Sequence, residues 1–420
     1  MKTKLIIPLL LLLSVGAAAQ TSRKELNAKP ERTGATYFAY PPTVKKTQTP
    51  SPEGYEPFYI SHYGRHGSRY MTENDAYEFT IGQLDSAAQL GILTPKGSQV
   101  LELLRTAYAD AWMRDGELTK LGAQQHREIA RRMYWNYPTL LSQPIKVDAR
   151  SSTANRCMIS MFNFCNELQG LNPSLAIRMD ASKRDMPFVV GNEHIHIEDG
   201  PADADYERQL EALIIKAGND KRFMKSLFTD VPRARTFIEG FDLMDAFFNI
   251  AMDMQNVPEL GISFMDLFTA GERLNIYIAT NAYIMAGLGL VPGSSPEYRR
   301  QLIARDSIQS IADRVIGTGK PGLTLRFSHD GSLIPLAYLM GLKETQGGRS
   351  KLDDLYKYLS IDKISPMAAN IQLIFYRKEG SDDVLVKFLL NENETSIPIA
   401  TDRAPYYHWK DVKEYWEGRR

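Results

Sequence analysis

Through the first half of the chain, short apolar runs with strand character alternate with longer helical stretches, and that alternation leaves few architectures open. Pro57-Phe58-Tyr59-Ile60-Ser61-His62 reads as a strand entering a glycine-containing turn. Residues 75–91 and 97–113 carry apolar positions at helical spacing, and a further helix runs from Leu118-Thr119 to about Tyr134 with Thr119 as its N-cap. A short strand over 143–149, a helix over 151–168 and a strand over 175–179 follow. Strands separated by helices pair in parallel, because each crossover returns the chain to the same end of the sheet. The expected fold is α/β, a three-layer, mainly parallel sheet flanked by helices.

From about residue 203 to 317 the strand signals vanish, and helical periodicity dominates 206–217, 241–254, 264–286 and 297–316. A chain of 420 residues exceeds what one small core organises. This stretch, together with about 75–142, is therefore expected to form a smaller inserted α-helical domain. The sheet resumes at Gly322-Leu323-Thr324-Leu325-Arg326-Phe327-Ser328, ahead of a helix at 332–342. Residues 371–378 and 384–390 flank Glu379-Gly380-Ser381 as a hairpin. The α/β core then comprises about 57–74, 143–200 and 318–420.

The chain opens MKTKLIIPLLLLLSVGAAAQ: a basic n-region at Lys2 and Lys4, an apolar run, and small residues ending at Ala19. This is the pattern of a secretory signal peptide cleaved near Ala19, and the run is too short for a spanning helix. The protein is expected to be periplasmic or secreted. Residues 20–56, rich in Pro, Thr and Lys, read as an extended segment lying over the body. Basic and acidic side chains balance at 50 each, so no global field points to nucleic acid or a membrane as partner. Anion binding, if present, has to be local. Cys157 and Cys165 lie eight apart on an expected helix. That spacing puts them roughly 12 Å apart, too far for a disulfide, so they read as buried thiols.

The strongest local signal is Arg65-His66-Gly67-Ser68-Arg69, directly after the first strand. Guanidinium forks match the oxygens of a phosphoryl group, and loops at the carboxyl ends of strands are where open α/β sheets bind ligands. Gly67 would let the backbone approach something closely. A second signal, Arg326-Phe327-Ser328-His329-Asp330-Gly331, again sits at a strand end and pairs a carboxyl with an imidazole. Such a carboxyl can protonate a leaving oxygen. Arg150 ends a third strand and precedes a helix.

Together these motifs resemble the histidine acid phosphatase family, branch 2 of the histidine phosphatase superfamily. Ser61-His62-Tyr63-Gly64-Arg65-His66-Gly67-Ser68-Arg69-Tyr70 looks like its inositol-polyphosphate phosphatase and phytase members. The resemblance runs in motif order from about 57 to 390. It implies that His66 becomes a phosphohistidine, that Asp330 is the acid, and that Arg65, Arg69, Arg150 and His329 hold the phosphate. It departs at His329-Asp330-Gly331, where inositol-polyphosphate members commonly read His-Ala-Glu. Asp330 matches the acid-phosphatase type of donor, and Gly331 falls where the glutamate would.

The implied function is metal-independent hydrolysis of a phosphomonoester, with inositol polyphosphates such as phytate favoured and no cofactor. Its activity is expected on the acid side and indifferent to chelators. Lys183, Arg184 and Arg273 are candidates for contacting the rest of a polyphosphorylated substrate. Rival readings are a broad-specificity acid phosphatase on sugar or aryl phosphates, a phosphotransferase or mutase, and a non-catalytic phosphate-ester binding protein. His194 and His196 read as surface histidines rather than metal ligands, and His126 as part of a solvated helix face. His62 could brace the motif that follows it.

Overall fold

The structure, a computed structural model, describes residues 21–41, 48–197 and 204–419; the expected signal peptide lies outside them. Its strands are β1 (Tyr55–Arg65), β2 (Lys146–Ser151), β3 (Ala176–Asp180), β4 (Gly322–Ser328), β5 (Asn370–Lys378), β6 (Val384–Leu390), β7 (Asn393–Thr395) and β8 (Tyr406–His408). They form one sheet in the order β3-β2-β4-β1-β5-β6-β7, with β8 paired to β6. The half made by helical crossovers, β3-β2-β4-β1, is parallel. The half made by C-terminal segments is antiparallel. The sheet is thus mixed, and the foreseen hairpin turns at Gly380, whose φ of 72° suits a residue without Cβ. β1 is buried from Phe58 to its end, as expected for a central strand covered on both faces.

Helices Lys120–Asn136 and Asn155–Leu171 pack over one face, where Ile129, Met133, Phe164 and Leu168 meet Val147, Leu325 and Phe327. Helices Leu302–Thr318, Asp330–Met340 and Trp409–Glu417 cover the other, with Ile308, Leu333 and Trp416 against Tyr59, Phe375 and Phe388. Two of these, Lys120–Asn136 and Leu302–Thr318, fall in stretches that periodicity assigns to the helical insertion. A 3.6-residue period says which face of a helix is apolar and leaves open what that face meets. A separate helical mass has its own cores. Asp75–Gln89, Pro95–Ala111 and Gly240–Asp253 share one, and Ala204–Ala217 shares another with Ala270–Gly287.

The segment expected to be extended is largely helical between residues 23 and 37. Ser22 and Glu25 form a reciprocal capping box that starts helix Arg23–Ala28, and a 3-10 turn Pro30–Tyr37 follows. The Met367 N–H donates to the Phe38 carbonyl at 2.7 Å, and the Ala39 N–H donates to Gln255 Oε1 at 3.0 Å. Arg32 pairs with buried Asp362 at 2.6 Å. The segment thereby ties the helical mass to the sheet.

Candidate active site

Parallel pairing of β1 with β4 sets Arg65 opposite Ser328. The next residue on each strand, His66 and His329, therefore leaves the same end of the sheet beside the other, with ring centroids 5.6 Å apart. The loop carrying His66 is held by its backbone. The His66 N–H donates to the Ser328 carbonyl at 2.9 Å, and the His66 carbonyl accepts from Ala368 N–H at 2.8 Å. Gly67 makes a close approach, though to protein rather than to a ligand. A Cβ there would sit 2.5 Å from the carbonyl oxygen of Gly122, and one at Gly122 would meet the Ser68 backbone. Both glycines are needed where the loop crosses the start of helix Lys120–Asn136. Thr119 closes the crossing: its hydroxyl donates to the Ser68 carbonyl at 3.1 Å while accepting from Gly122 N–H as the foreseen N-cap.

His66 is buried, and its Nδ1 faces the Gly67 carbonyl at 2.9 Å. A carbonyl can only accept, so Nδ1 carries the proton and the Nε2 lone pair is left to react. Burial, then Arg65 and Arg69, hold the ring's pKa well below its ordinary value. The imidazole is neutral. His329 is also held neutral, at about 4, by burial and by the charge of Arg156. Ser152 Oγ lies 3.1 Å from His329 Nε2, and Cys157 Sγ packs 3.7 Å from the same nitrogen. β2 puts Ser152 there, because its N–H continues the ladder to the Phe327 carbonyl at 3.0 Å.

Three guanidinium groups converge on this pair. Arg65 is fully buried and held by the Ser365 carbonyl at 2.7 Å, with Asp330 Oδ2 3.2 Å from its Nη2. Burial, opposed by Asp330 and reinforced by Arg69 and Arg156, brings Arg65 down to about 10. The Nε atoms of Arg65, Arg69 and Arg156 are all buried without a hydrogen-bond partner among the described residues. Buried donors are ordinarily satisfied, so three unspent ones around a neutral imidazole mark a place suited to an anionic acceptor. Asp330 opens helix Asp330–Met340, whose N-terminus adds its positive end to the same spot. Burial alone would raise the Asp330 carboxyl, but Arg65, Arg69, the Gly331 N–H and His329 hold it below the ordinary range.

Arg150 is not part of this cluster. The two-residue period of β2 puts it on the face of Asp148, and it pairs with Asp148 at 3.2 Å and with buried Asp185 at 2.6 Å. The cation that reaches the site is Arg156, in the first turn of helix Asn155–Leu171. A strand-end arginine was the natural choice from sequence. The signal for Arg156 would have been its place in the first turn of a helix starting beside the two motif loops. Arg273 is also displaced: its Nη1 serves the carbonyls of Met265 and Phe268, closing a helical turn. Lys183 and Arg184 are exposed in the turn after β3.

His126 is fully buried beside Phe327 rather than solvated. His62 packs between Phe164 and Phe327 beneath the motif loop, a brace for its strand. His194 and His196 are exposed, and no metal-binding cluster of three or more His, Cys, Asp or Glu occurs among the described residues. Cys157 and Cys165 are free and buried.

A cavity of about 410 Å³ adjoins the cluster and is lined by Arg156, His329, Asp330 and Ser332. Glu193, Glu297, Arg300 and Gln301 also line it; Arg300 pairs with Glu297 at 2.6 Å and donates to the Glu193 carbonyl at 2.7 Å. A second cleft, of about 300 Å³ and mostly apolar, lies in the helical mass and carries none of these groups.

A neutral imidazole ringed by unspent guanidinium donors, at the carboxyl end of a parallel half-sheet, defines an α/β protein built to hold a phosphate-like anion against a nucleophile. The chain belongs to the histidine phosphatase superfamily (branch 2), whose family model matches residues 64–391. It is 23% identical over 393 residues to human multiple inositol polyphosphate phosphatase 1, covering 83% of this chain and 78% of the human protein. In fold it is similar to the multiple inositol polyphosphate phosphatase of Bifidobacterium longum, solved with inositol hexasulfate. There the TM-score is 0.71 at 17% identity, covering 92% of this chain and 97% of that one. The phytase of D. castellii superposes with a TM-score of 0.66 at 14% identity, over 93% and 85% of the two chains.

Proposed function

We propose that this protein is an exported phosphomonoester hydrolase working through a phosphohistidine at His66, with inositol polyphosphates as its substrates. The observation that carries this reading is the set of unpartnered Nε donors of Arg65, Arg69 and Arg156 around an imidazole whose Nδ1 is committed to the Gly67 carbonyl. Placing fixed positive charge where the phosphoryl oxygens sit removes the repulsion that protects a phosphate dianion from attack, usually the largest catalytic contribution. Neutral His66 attacks phosphorus through Nε2, and Asp330 protonates the departing alkoxide. With its pKa lowered, Asp330 is ionised before substrate binds. A bound dianion engages Arg65 and Arg69, which relaxes their hold on the carboxyl and lets it take up the proton it must donate. Water then attacks the phosphohistidine with Asp330 as base.

The substrate class is supported by the relatives' names and by the cavity. Its size exceeds one phosphoryl group, and Arg300, paired with Glu297, lines it together with Arg156. The two N-terminal lysines, the apolar run and the small residues ending at Ala19 support export. The decisive experiment compares wild type with His66→Ala on an aryl phosphate, a sugar phosphate and phytate, resolving the inositol phosphate products and quenching in alkali to trap an acid-labile phosphoryl adduct. The reading expects turnover and adduct in wild type and neither in the variant. Wild-type turnover by His66→Ala would refute it. Preference for aryl or sugar phosphate over phytate would replace the substrate class with general phosphomonoesters.

A further inference from the structure

Arg69 stands apart from the other two arginines of the cluster in what holds it. Arg65 is clamped by the Ser365 carbonyl and Asp330. Arg69 has no such clamp: its Nη1 donates to the carbonyl of its neighbour Tyr70 at 2.8 Å, and its guanidinium also bonds the Tyr37 hydroxyl. Its Nε is buried and unpartnered. The Tyr70 carbonyl alone would leave the guanidinium able to swing about its long side chain, and each swing would misalign the fork it presents to a phosphoryl group. Something else has to stop that swing.

Two groups face it. The Arg69 guanidinium carbon lies 5.1 Å from the centre of the Tyr37 ring, within the range of a cation–π contact. Tyr37 comes from the 3-10 turn Pro30–Tyr37, a segment remote in sequence from both motifs. Burial raises the Tyr37 phenol, with Arg69 pulling it back and Asp253 and Asp330 adding to the rise, so the ring stands beside the reacting groups. Behind it Asp253 is 1% exposed. Burial lifts its carboxyl to about 7 against the opposing pull of Arg69. Asn256 Nδ2 joins the two, donating to Asp253 Oδ1 and to the Tyr37 carbonyl, each at 3.1 Å. Asn256 is itself fully buried.

We propose that Tyr37 is a positioning residue for phosphate binding: its ring, carried on backbone that Asn256 ties to Asp253, holds the Arg69 guanidinium in the orientation that receives a phosphoryl oxygen. The N-terminal segment is then a working part of the active site, and docking of the helical mass against it completes the phosphate clamp. The proposal rests on the reading of Arg69 as a phosphate ligand.

The test measures Tyr37→Leu, Tyr37→Phe and Asp253→Asn against wild type, following KM and kcat for p-nitrophenyl phosphate and the inhibition constant of inorganic phosphate. Phenylalanine keeps the aromatic face and loses only the hydroxyl that bonds Arg69, and leucine loses both. Tyr37→Leu is expected to raise KM and the phosphate inhibition constant together by about three- to tenfold, while Tyr37→Phe stays within about twofold of wild type on the same scale. Asp253→Asn keeps the shape and the bond from Asn256 while removing a carboxylate near Arg69, and is expected to leave phosphate inhibition no weaker than in wild type. Thermal unfolding of each variant separates a loosened fold from a loosened clamp. Phosphate inhibition unchanged in Tyr37→Leu, or lost equally in Tyr37→Phe and Tyr37→Leu, overturns the proposal. Failure of wild type to turn over the ester or to bind phosphate would instead overturn the functional reading beneath it.

Discussion

Exchanging the roles of two arginines six residues apart in sequence is the sharpest check on the site, because sequence and structure choose differently between them. Arg156 points a buried, unpartnered Nε at the cluster, and its charge is the first after burial to act on His329. Removing a preorganised donor to a charge that develops in the transition state costs about 10²- to 10³-fold, and a lost hydrogen bond to a charged group costs about 1.5–3 kcal/mol in binding. Arg156→Ala should therefore lower kcat/KM on p-nitrophenyl phosphate by at least about a hundredfold with little change in thermal stability. Arg156→Lys should recover part of the loss, since it restores charge without the fork. Arg150 is spent on Asp148, which is 38% exposed, and on Asp185, which is 5% exposed. The first pair is worth about 0–1 kcal/mol, and leaving Asp185 unpaired costs about 1–3 kcal/mol of stability. Arg150→Ala should lower the melting temperature by several degrees and leave kcat/KM within about threefold. A collapse of kcat/KM in Arg150→Ala, or near-wild-type turnover in Arg156→Ala, would refute the assignment.

Two further outcomes follow from the same geometry. His62 and His126 are buried and held neutral at about 3, so the unfolded chain binds more protons than the folded one below the ordinary imidazole value; stability is then fully present above about pH 6.5 and drains away as pH falls toward 3. Urea unfolding midpoints should drop steeply across that window, and His126→Leu should shallow the slope; a pH-independent midpoint would contradict neutral burial. A Cβ at Gly331 meets nothing within 4 Å, so Asp330→Ala should nearly abolish turnover and Asp330→Ala/Gly331→Glu should recover a measurable part; no recovery, in a folded double variant, would mean the acid must sit at 330.

The candidate site was largely legible because its residues lie in two short contiguous motifs. Arg65, His66, Arg69, His329 and Asp330 sit at ends of strands that local pattern identifies, and parallel strands deliver their carboxyl ends to one place whatever joins them. Arg150 and Arg156 show where that reasoning runs out. Both follow β2, and choosing between them needs the strand's register and the angle at which the next helix leaves, neither of which periodicity specifies. Arg273 failed for a related reason: a helix-start arginine can serve a distant pocket or the nearest open carbonyls, and here the carbonyls of Met265 and Phe268 were nearer. His126 was misread because a helix flanked by arginines has two sides, and only packing reveals that its imidazole faces Phe327.

By itself the sequence determined the alternation that makes an α/β sheet, the helical interruption, and the two motif loops carrying His66 and Asp330. Those are properties of neighbours along the chain, set by side-chain period and backbone freedom. Tertiary structure alone decided which third arginine completes the cluster, that Gly67 and Gly122 exist for each other, that the C-terminal half of the sheet is antiparallel, and that Tyr37 reaches Arg69. Each of those depends on which surfaces meet after the backbone has turned, and the free energy of burying them is shared among residues far apart in the chain.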